Sequence, residues 1–135
     1  EGAVRCEGAS LAYLPPEYPA CADIRLQAAL LAHLGASGQP HWHGLVRSHD
    51  SFYRDDEQDV CRYWHARGVL GADMETASLL AVGRLRKVRV AAVLCNVVAF
   101  EQDVQAGVSD YAASEAAMMT GERLAIAAAL HALTQ

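Results

Sequence analysis

A chain of 135 residues has the size of one compact domain, and a composition 53% hydrophobic and only 20% charged excludes a disordered tail. A formal net charge of −5 excludes a generally basic nucleic-acid binder. No apolar run approaches the roughly 20 residues that a membrane-spanning helix needs. Alanine occurs 26 times, a density that favours closely packed helices, and the basic residues are ten arginines and the single Lys87.

Residues 1–20 read as a strand end followed by a loop. Leu14-Pro15-Pro16-Glu17-Tyr18-Pro19 cannot be helix interior, because each proline lacks a donor and clashes with the preceding turn. Asp23 reads as an N-cap, and Ile24, Ala28, Leu31 and Leu34 follow at helical spacing, with Leu26 and Leu30 widening the apolar side. Gly35 is the expected stop, and residues 36–40 the expected turn. Residues 42–48 read as a strand. Residues 56–67 read as a helix carrying Val60, Tyr63 and Trp64 on one side, closed by Gly68.

Residues 69–72 form a short apolar run. Residues 74–86 read as a helix whose Met74, Ala77, Ser78, Ala81 and Leu85 share a face, with Arg84 and Arg86 at its C-terminal end. Residues 88–98 are apolar almost without interruption, the pattern of a strand covered on both faces. Residues 101–107 read as a polar loop, and Ser109 or Asp110 as the cap of one long final helix ending near Leu133. Strands alternating with helices give an α/β layered domain spanning residues 1–135. The count of two good and two weak strands leaves the sheet short.

Cys6, Cys21, Cys61 and Cys95 form no CxxC pair, and their apolar or helical surroundings read as reduced, buried thiols. With no signal peptide, this points to a cytoplasmic location. His41, His43, His49 and Asp50 are close enough in sequence to test for zinc, but polar histidines at a strand edge, with no metal, are the favoured reading. Ser48-His49-Asp50 cannot form a catalytic triad, because neighbours on an extended chain face opposite ways. The arginine-bearing stretch 84–89 reads as a solvated helix end.

Two stretches combine chemistry with position: Ser48-His49-Asp50-Ser51-Phe52-Tyr53 after a strand, and Asp73-Met74-Glu75-Thr76-Ala77 at a strand-to-helix junction. The helix dipole alone accounts for an acid at a helix start, so neither Asp73 nor Glu75 is distinctive singly. Together with Val4-Arg5-x-x-Gly8-Ala9-Ser10-Leu11 and Glu17-Tyr18-Pro19-Ala20, the two stretches resemble the nucleoside phosphorylase family, its uridine phosphorylase branch most closely. The resemblance is collinear over nearly the whole chain and corresponds to the C-terminal half of that family.

The resemblance implies a three-layer α/β/α sandwich, lacking here the N-terminal strands and the phosphate-holding loops. It implies reversible phosphorolysis of a uridine-type pyrimidine nucleoside to base and ribose 1-phosphate. Phosphate would be the co-substrate and no other cofactor would be needed. The isolated segment would be inactive without the other half. Glu75 would accept hydrogen bonds from the ribose hydroxyls, which suits an acceptor-only carboxylate. Met74 would pack beside the sugar and Phe52 against the nucleoside. Asp73 opens the same triplet.

Asp56 and Gln58 stand where uridine phosphorylases carry the Gln and Arg that read uracil. Ala99-Phe100 replaces the family's Asn-Arg. Val97-Val98 stands where purine enzymes carry a Ser-Asp acid pair, and valine cannot be a general acid. The implied partners are nucleoside, phosphate and further copies of the chain in a dimer-based oligomer extending to a hexamer, with neither nucleic acid nor membrane. The alternatives are a non-catalytic nucleoside-binding or assembly remnant of the same fold, a purine nucleoside phosphorylase, or a nucleosidase in which water replaces phosphate.

Overall fold

The computed structural model describes the backbone of residues 1–135 and the side chains of all but residues 115–117. Four strands form a mixed sheet: β1 (Gly2–Cys6), β2 (Ala20–Cys21), β3 (Leu45–His49) and β4 (Val69–Asp73), in the order β2-β1-β3-β4. β1 pairs antiparallel with β2 and parallel with β3, and β3 pairs parallel with β4. The helices are α1 (Ile24–Ser37), α2 (Glu57–His65), α3 (Thr76–Leu85), α4 (Val104–Ala113) and α5 (Glu115–Leu133), with a short 3-10 turn at Ser10–Ala12.

Two apolar clusters hold the layers. Ala77, Leu80 and Ala81 of α3 bury against Ala20, with Ala3, Leu14, Ala22 and Val90 around them. Leu26 and Leu30 of α1 bury against Ala128 and Ala132 of α5, with Ala91 and Val93 beside them. Alanine on α5 lets the two helices approach closely, as the composition suggests. Residues 88–98 therefore run between the layers: Val90 belongs to the α3 cluster, Ala91 and Val93 to the α1–α5 cluster.

Asp23 caps α1 as expected, its Oδ1 accepting the Arg25 and Leu26 amides at 3.0 and 3.1 Å. Five expectations need correction. Helix α1 runs through Gly35 and ends at Gly38, whose φ of 69° is the left-handed turn that glycine adopts without a Cβ clash. The strand expected over 42–48 is β3, shifted to Leu45–His49, so His41 and His43 precede it. The expected single final helix is two: Asp103 caps α4 by accepting the Ala106 amide at 2.8 Å, and the helix breaks at Ser114 before α5. Cys6 and Cys21 are exposed; all four thiols are free.

The fifth correction concerns residues 88–98, which join no sheet. Their apolar character marks a place between layers, but a strand also needs a neighbour's hydrogen-bonding edge. Here the Asp23 amide reaches the Val90 carbonyl at 2.7 Å, and the Val88 amide bonds back to the Gly83 carbonyl at 2.9 Å. That second bond belongs to the C-terminal motif of α3, in which Lys87 occupies the left-handed position at φ 59°. The sheet's short edge strand β2, unforeseen in the sequence, is set by a close approach: a Cβ on Gly2 would meet the Ala20 carbonyl oxygen at 2.6 Å.

Candidate functional site

The three parallel strands end side by side. Cys6 is in register with His49, and Ser48 with Asp73. The segments that leave this edge carry the chemistry: Glu7 to Ser10 after β1, Asp50 to Asp56 after β3, and Met74-Glu75 after β4. Ligands of parallel sheets bind outside the carboxyl ends of the strands, so this edge is the candidate site.

Its base is a polar network. The Ser48 hydroxyl donates to Asp73 Oδ1 at 2.5 Å, and Ser48 Oγ accepts the Ala77 amide at 2.8 Å. Asp73 Oδ2 accepts the Thr76 amide at 3.1 Å and the Thr76 hydroxyl as well. Both Asp73 oxygens are thus engaged within the chain, and the carboxylate ties β3, β4 and the first turn of α3 together. Ser48 and Thr76 are buried, which strengthens these bonds.

Glu75, one turn end further on, is different. It is exposed, and its Oε2 accepts only the adjacent Met74 amide, at 3.2 Å, among the described residues. Met74 is half-buried beside it. Phe52 lies in the turn after β3, 39% exposed, with its ring edge-to-face against Tyr53 at 5.0 Å. The structure therefore sets Met74 and Glu75 directly after β4 and Phe52 in the turn after the adjoining β3.

Other expected residues fall differently. Asp56 is exposed and held in a two-point ion pair with Arg54, at 2.9 and 2.8 Å. Hydrogen bonds from that guanidinium hold its carboxyl below the usual range, so it stays an ionised acceptor. Gln58 is exposed in the first turn of α2. Val97 and Val98 end the unpaired run 88–98; Val98 packs on Gly107 of α4 and Val97 is exposed. Among the described residues no group of three or more His, Cys, Asp or Glu is arranged to hold a metal ion. His41 bonds the Gln39 carbonyl at 2.9 Å and His43 approaches Gln27 at 3.2 Å, both before the start of β3, whereas buried His49 is its last residue.

Three supports were not singled out from the sequence. Glu7 is buried and accepts the Ser10 amide at 2.7 Å and the Ser10 hydroxyl; burial opposes its ionisation, but the Ser10 hydrogen bonds outweigh it and lower its pKa. The Gly8 amide donates to Asp50 Oδ2 at 2.8 Å, joining two of the edge segments. Arg47, facing inward from β3, pairs with Glu57 of α2 at 2.9 Å. Glu57 also accepts from the Cys61 thiol at 3.3 Å, whose pKa rises first through burial and then through that carboxylate. A charged residue inside strand 45–49 was the signal for this pair, since an inward arginine requires an acid. The spacing of Glu7 and Ser10 was too ordinary to mark their bond.

A parallel-stranded α/β layer with polar segments at its carboxyl strand ends is the arrangement of an α/β ligand-binding protein. The profile of the Phosphorylase superfamily matches residues 1–133, and the chain belongs to that family. Among curated proteins, the uridine phosphorylase of Treponema pallidum is 36% identical over 104 residues, covering 69% of this chain and 40% of the relative. The guanosine phosphorylase of Halorubrum lacusprofundi is 31% identical over 96 residues, covering 71% of this chain and 39% of the relative.

Among solved structures, uridine phosphorylase from Vibrio fischeri superposes with a TM-score of 0.88 at 47% identity, covering 99% of this chain and 54% of that one. The AMP nucleosidase of Bacteroides thetaiotaomicron gives a TM-score of 0.58 at 30% identity, over 65% of this chain and 39% of its own. The chain spans about half the length of the relatives it matches, consistent with their C-terminal half. The architecture is the α/β/α sandwich of the nucleoside phosphorylases, with part of it outside this chain.

Proposed function

We propose that this chain supplies the sugar and base walls of a uridine-phosphorylase-like enzyme, which uses phosphate to cleave a pyrimidine nucleoside reversibly. The observation that carries the reading is the contrast at the strand ends: Asp73 has both oxygens engaged, while the Glu75 carboxylate beside it is exposed. A carboxylate with two acceptor oxygens suits a vicinal diol. Met74 and Phe52 offer the apolar surface that a sugar face and a planar base fill.

In such a reaction a phosphate oxygen bonds to the anomeric carbon while the bond from that carbon to the base nitrogen breaks. The sugar carries positive charge in the transition state, as in glycoside cleavage. Glu75, anionic at the hydroxyls, would orient the sugar and favour that charge. Phosphate would be held by the part of the fold outside this chain, with no other cofactor. The working form would be a cytoplasmic homo-oligomer built from dimers. For the chain itself, no helix among the described residues is long and apolar enough to cross a membrane.

Asp56, acceptor-only and already paired with Arg54, does not reproduce a glutamine that both donates and accepts. This favours, as a second reading, a non-catalytic nucleoside-binding protein of the same fold. A purine enzyme is less well supported, because Val97 and Val98 offer no acid. A nucleosidase has the likeness to the AMP nucleosidase in its favour.

Thermal-shift titrations with uridine, thymidine, inosine and adenosine, each with phosphate, separate these readings. Uridine and thymidine are expected to raise the melting temperature. A shift with inosine alone would refute the pyrimidine preference. The purified 135-residue chain is expected to release no ribose 1-phosphate; turnover by it alone would show that it holds phosphate unaided.

A further inference from the structure

A cavity of about 260 Å³ opens where the end of α3 and the residues after it meet β2 and the cap of α1. It lies at the opposite edge of the sheet from the candidate site: its Cys21 pairs with Gly2 at the amino end of β1, whereas the candidate site follows Cys6 at the carboxyl end. Arg84, Lys87 and Arg89 line it together with Asp23, and Leu80 and Val90 supply apolar lining. Residues 84–89 carry four cations, Arg84, Arg86, Lys87 and Arg89, in a chain whose net charge is −5. Among the described residues none of these four side chains is ion-paired or hydrogen-bonded. The negative end of the α3 dipole accounts for Arg84 and Arg86 at the helix end, but not for Arg89 beyond it. Lys87, the only lysine in the chain, stands at φ 59°, where the backbone favours glycine and so does not explain the side chain.

We propose that this cavity binds a small phosphate monoester of a polyol, the class of the sugar phosphates. Three unpaired cations lining one cavity match the charge of a phosphate monoester, and the two guanidinium forks match its oxygens. Asp23 sets what the rest of the ligand must be. Its Oδ1 is taken by the Arg25 and Leu26 amides, which leaves Oδ2 as an acceptor with no partner among the described residues. A hydroxyl donates to such an oxygen, while a second anionic group is repelled by it. Leu80 and Val90 offer surface to the carbon face of a sugar. The volume falls below the roughly 300 Å³ at which sites for larger ligands begin, which favours a sugar phosphate over a nucleotide. The inference rests on this cavity and not on nucleoside cleavage, and its readout involves no nucleoside.

Calorimetric titration of the 135-residue chain at low ionic strength compares ribose 5-phosphate, inorganic phosphate and ribose. Ribose 5-phosphate is expected to bind saturably and about tenfold more tightly than phosphate, and ribose to give no saturable binding. Lys87→Gly removes a cation while suiting the left-handed turn, and is expected to weaken binding about tenfold in a folded chain. Arg89→Ala is expected to weaken it to a similar degree, and Arg86→Ala, outside the cavity lining, to leave it unchanged. Asp23→Asn still caps α1 and is expected to erase the preference for ribose 5-phosphate over phosphate. Three results would each overturn the proposal: no saturable binding of ribose 5-phosphate, binding of inorganic phosphate equally tight, or equal losses from Arg86→Ala and Arg89→Ala, the mark of general charge attraction.

Discussion

At the scale of single residues, neighbouring carboxylates divide between structure and ligand according to which donors reach them. Asp73 is surrounded by the Ser48 hydroxyl, the Thr76 amide and the Thr76 hydroxyl, and Glu75 by one long contact to its neighbour's amide. Asp73→Ala is therefore expected to destabilise the fold by about 1–3 kcal/mol, since it strands buried donors. Chemical denaturation measures that loss. Glu75→Gln is expected to leave the denaturation midpoint unchanged and to weaken nucleoside binding by about tenfold, or ~1.4 kcal/mol. Calorimetric titration separates the two; unchanged affinity would make Glu75 a helix-end acid only.

Glu7 adds a pH dependence whose sign follows from its lowered native pKa. Its contribution is complete above the ordinary glutamate pKa of about 4.3 and is lost as pH falls through the lower native value. Glu7→Gln is expected to flatten the acid limb of a stability-against-pH curve below about pH 4.3. None of this division was legible in the Asp-Met-Glu triplet, where the two acids look equivalent. Which donors fold back onto each depends on β3 lying alongside β4.

At the scale of elements, junctions decide most of the energetics. Lys87 holds the left-handed position that ends α3, where glycine fits without a Cβ clash. Lys87→Gly is expected to stabilise the chain by about 1 kcal/mol, read as a raised melting temperature. Leu80, only 2% exposed, is the anchor of α3 on the sheet, and Leu80→Ala is expected to cost about 2–5 kcal/mol. The Arg47–Glu57 pair joins β3 to the helix that follows the Phe52 turn. Truncating Arg47 alone leaves a largely buried carboxylate and is expected to cost about 3–5 kcal/mol, while the double change Arg47→Met with Glu57→Leu is expected to cost much less. A double-mutant cycle in urea checks the difference.

Helical elements were legible because periodicity and caps are local: Asp23 before Ile24 needed no tertiary information, whereas the buried face of α3 centres on Leu80 and leaves the expected Leu85 exposed. The stop at Gly35 was misplaced because a mid-helix glycine costs only about 1 kcal/mol, and the true end at Gly38 has the left-handed turn. The break at Ser114 likewise left little trace, because both sides of it are alanine-rich helix formers.

At the scale of the whole molecule, the chain is an α/β/α layer whose middle is partly unpaired. Its strand ends present the candidate site, while the run 88–98 lies between α3 and the α1–α5 pair without a sheet neighbour. Family membership was legible because motif residues are carried in linear order and survive without the rest of the sheet. The strand at 88–98 was not correctly read, because an apolar run reports burial between layers, whereas a ladder is a relation between two segments.

The sequence alone pointed to the α/β class and to helices near α1, α2 and α3, and the motifs it carries made the kinship with phosphorylases recognisable. The helices were legible because their signals lie along one segment. Tertiary structure alone decided that Asp73 is a brace while Glu75 stays open, that Arg47 pairs with Glu57, and that residues 88–98 are extended but unpaired. Each of those is a contact, or a missing contact, between segments distant in sequence, and hydrogen bonds of that kind exist only once the chain has closed on itself.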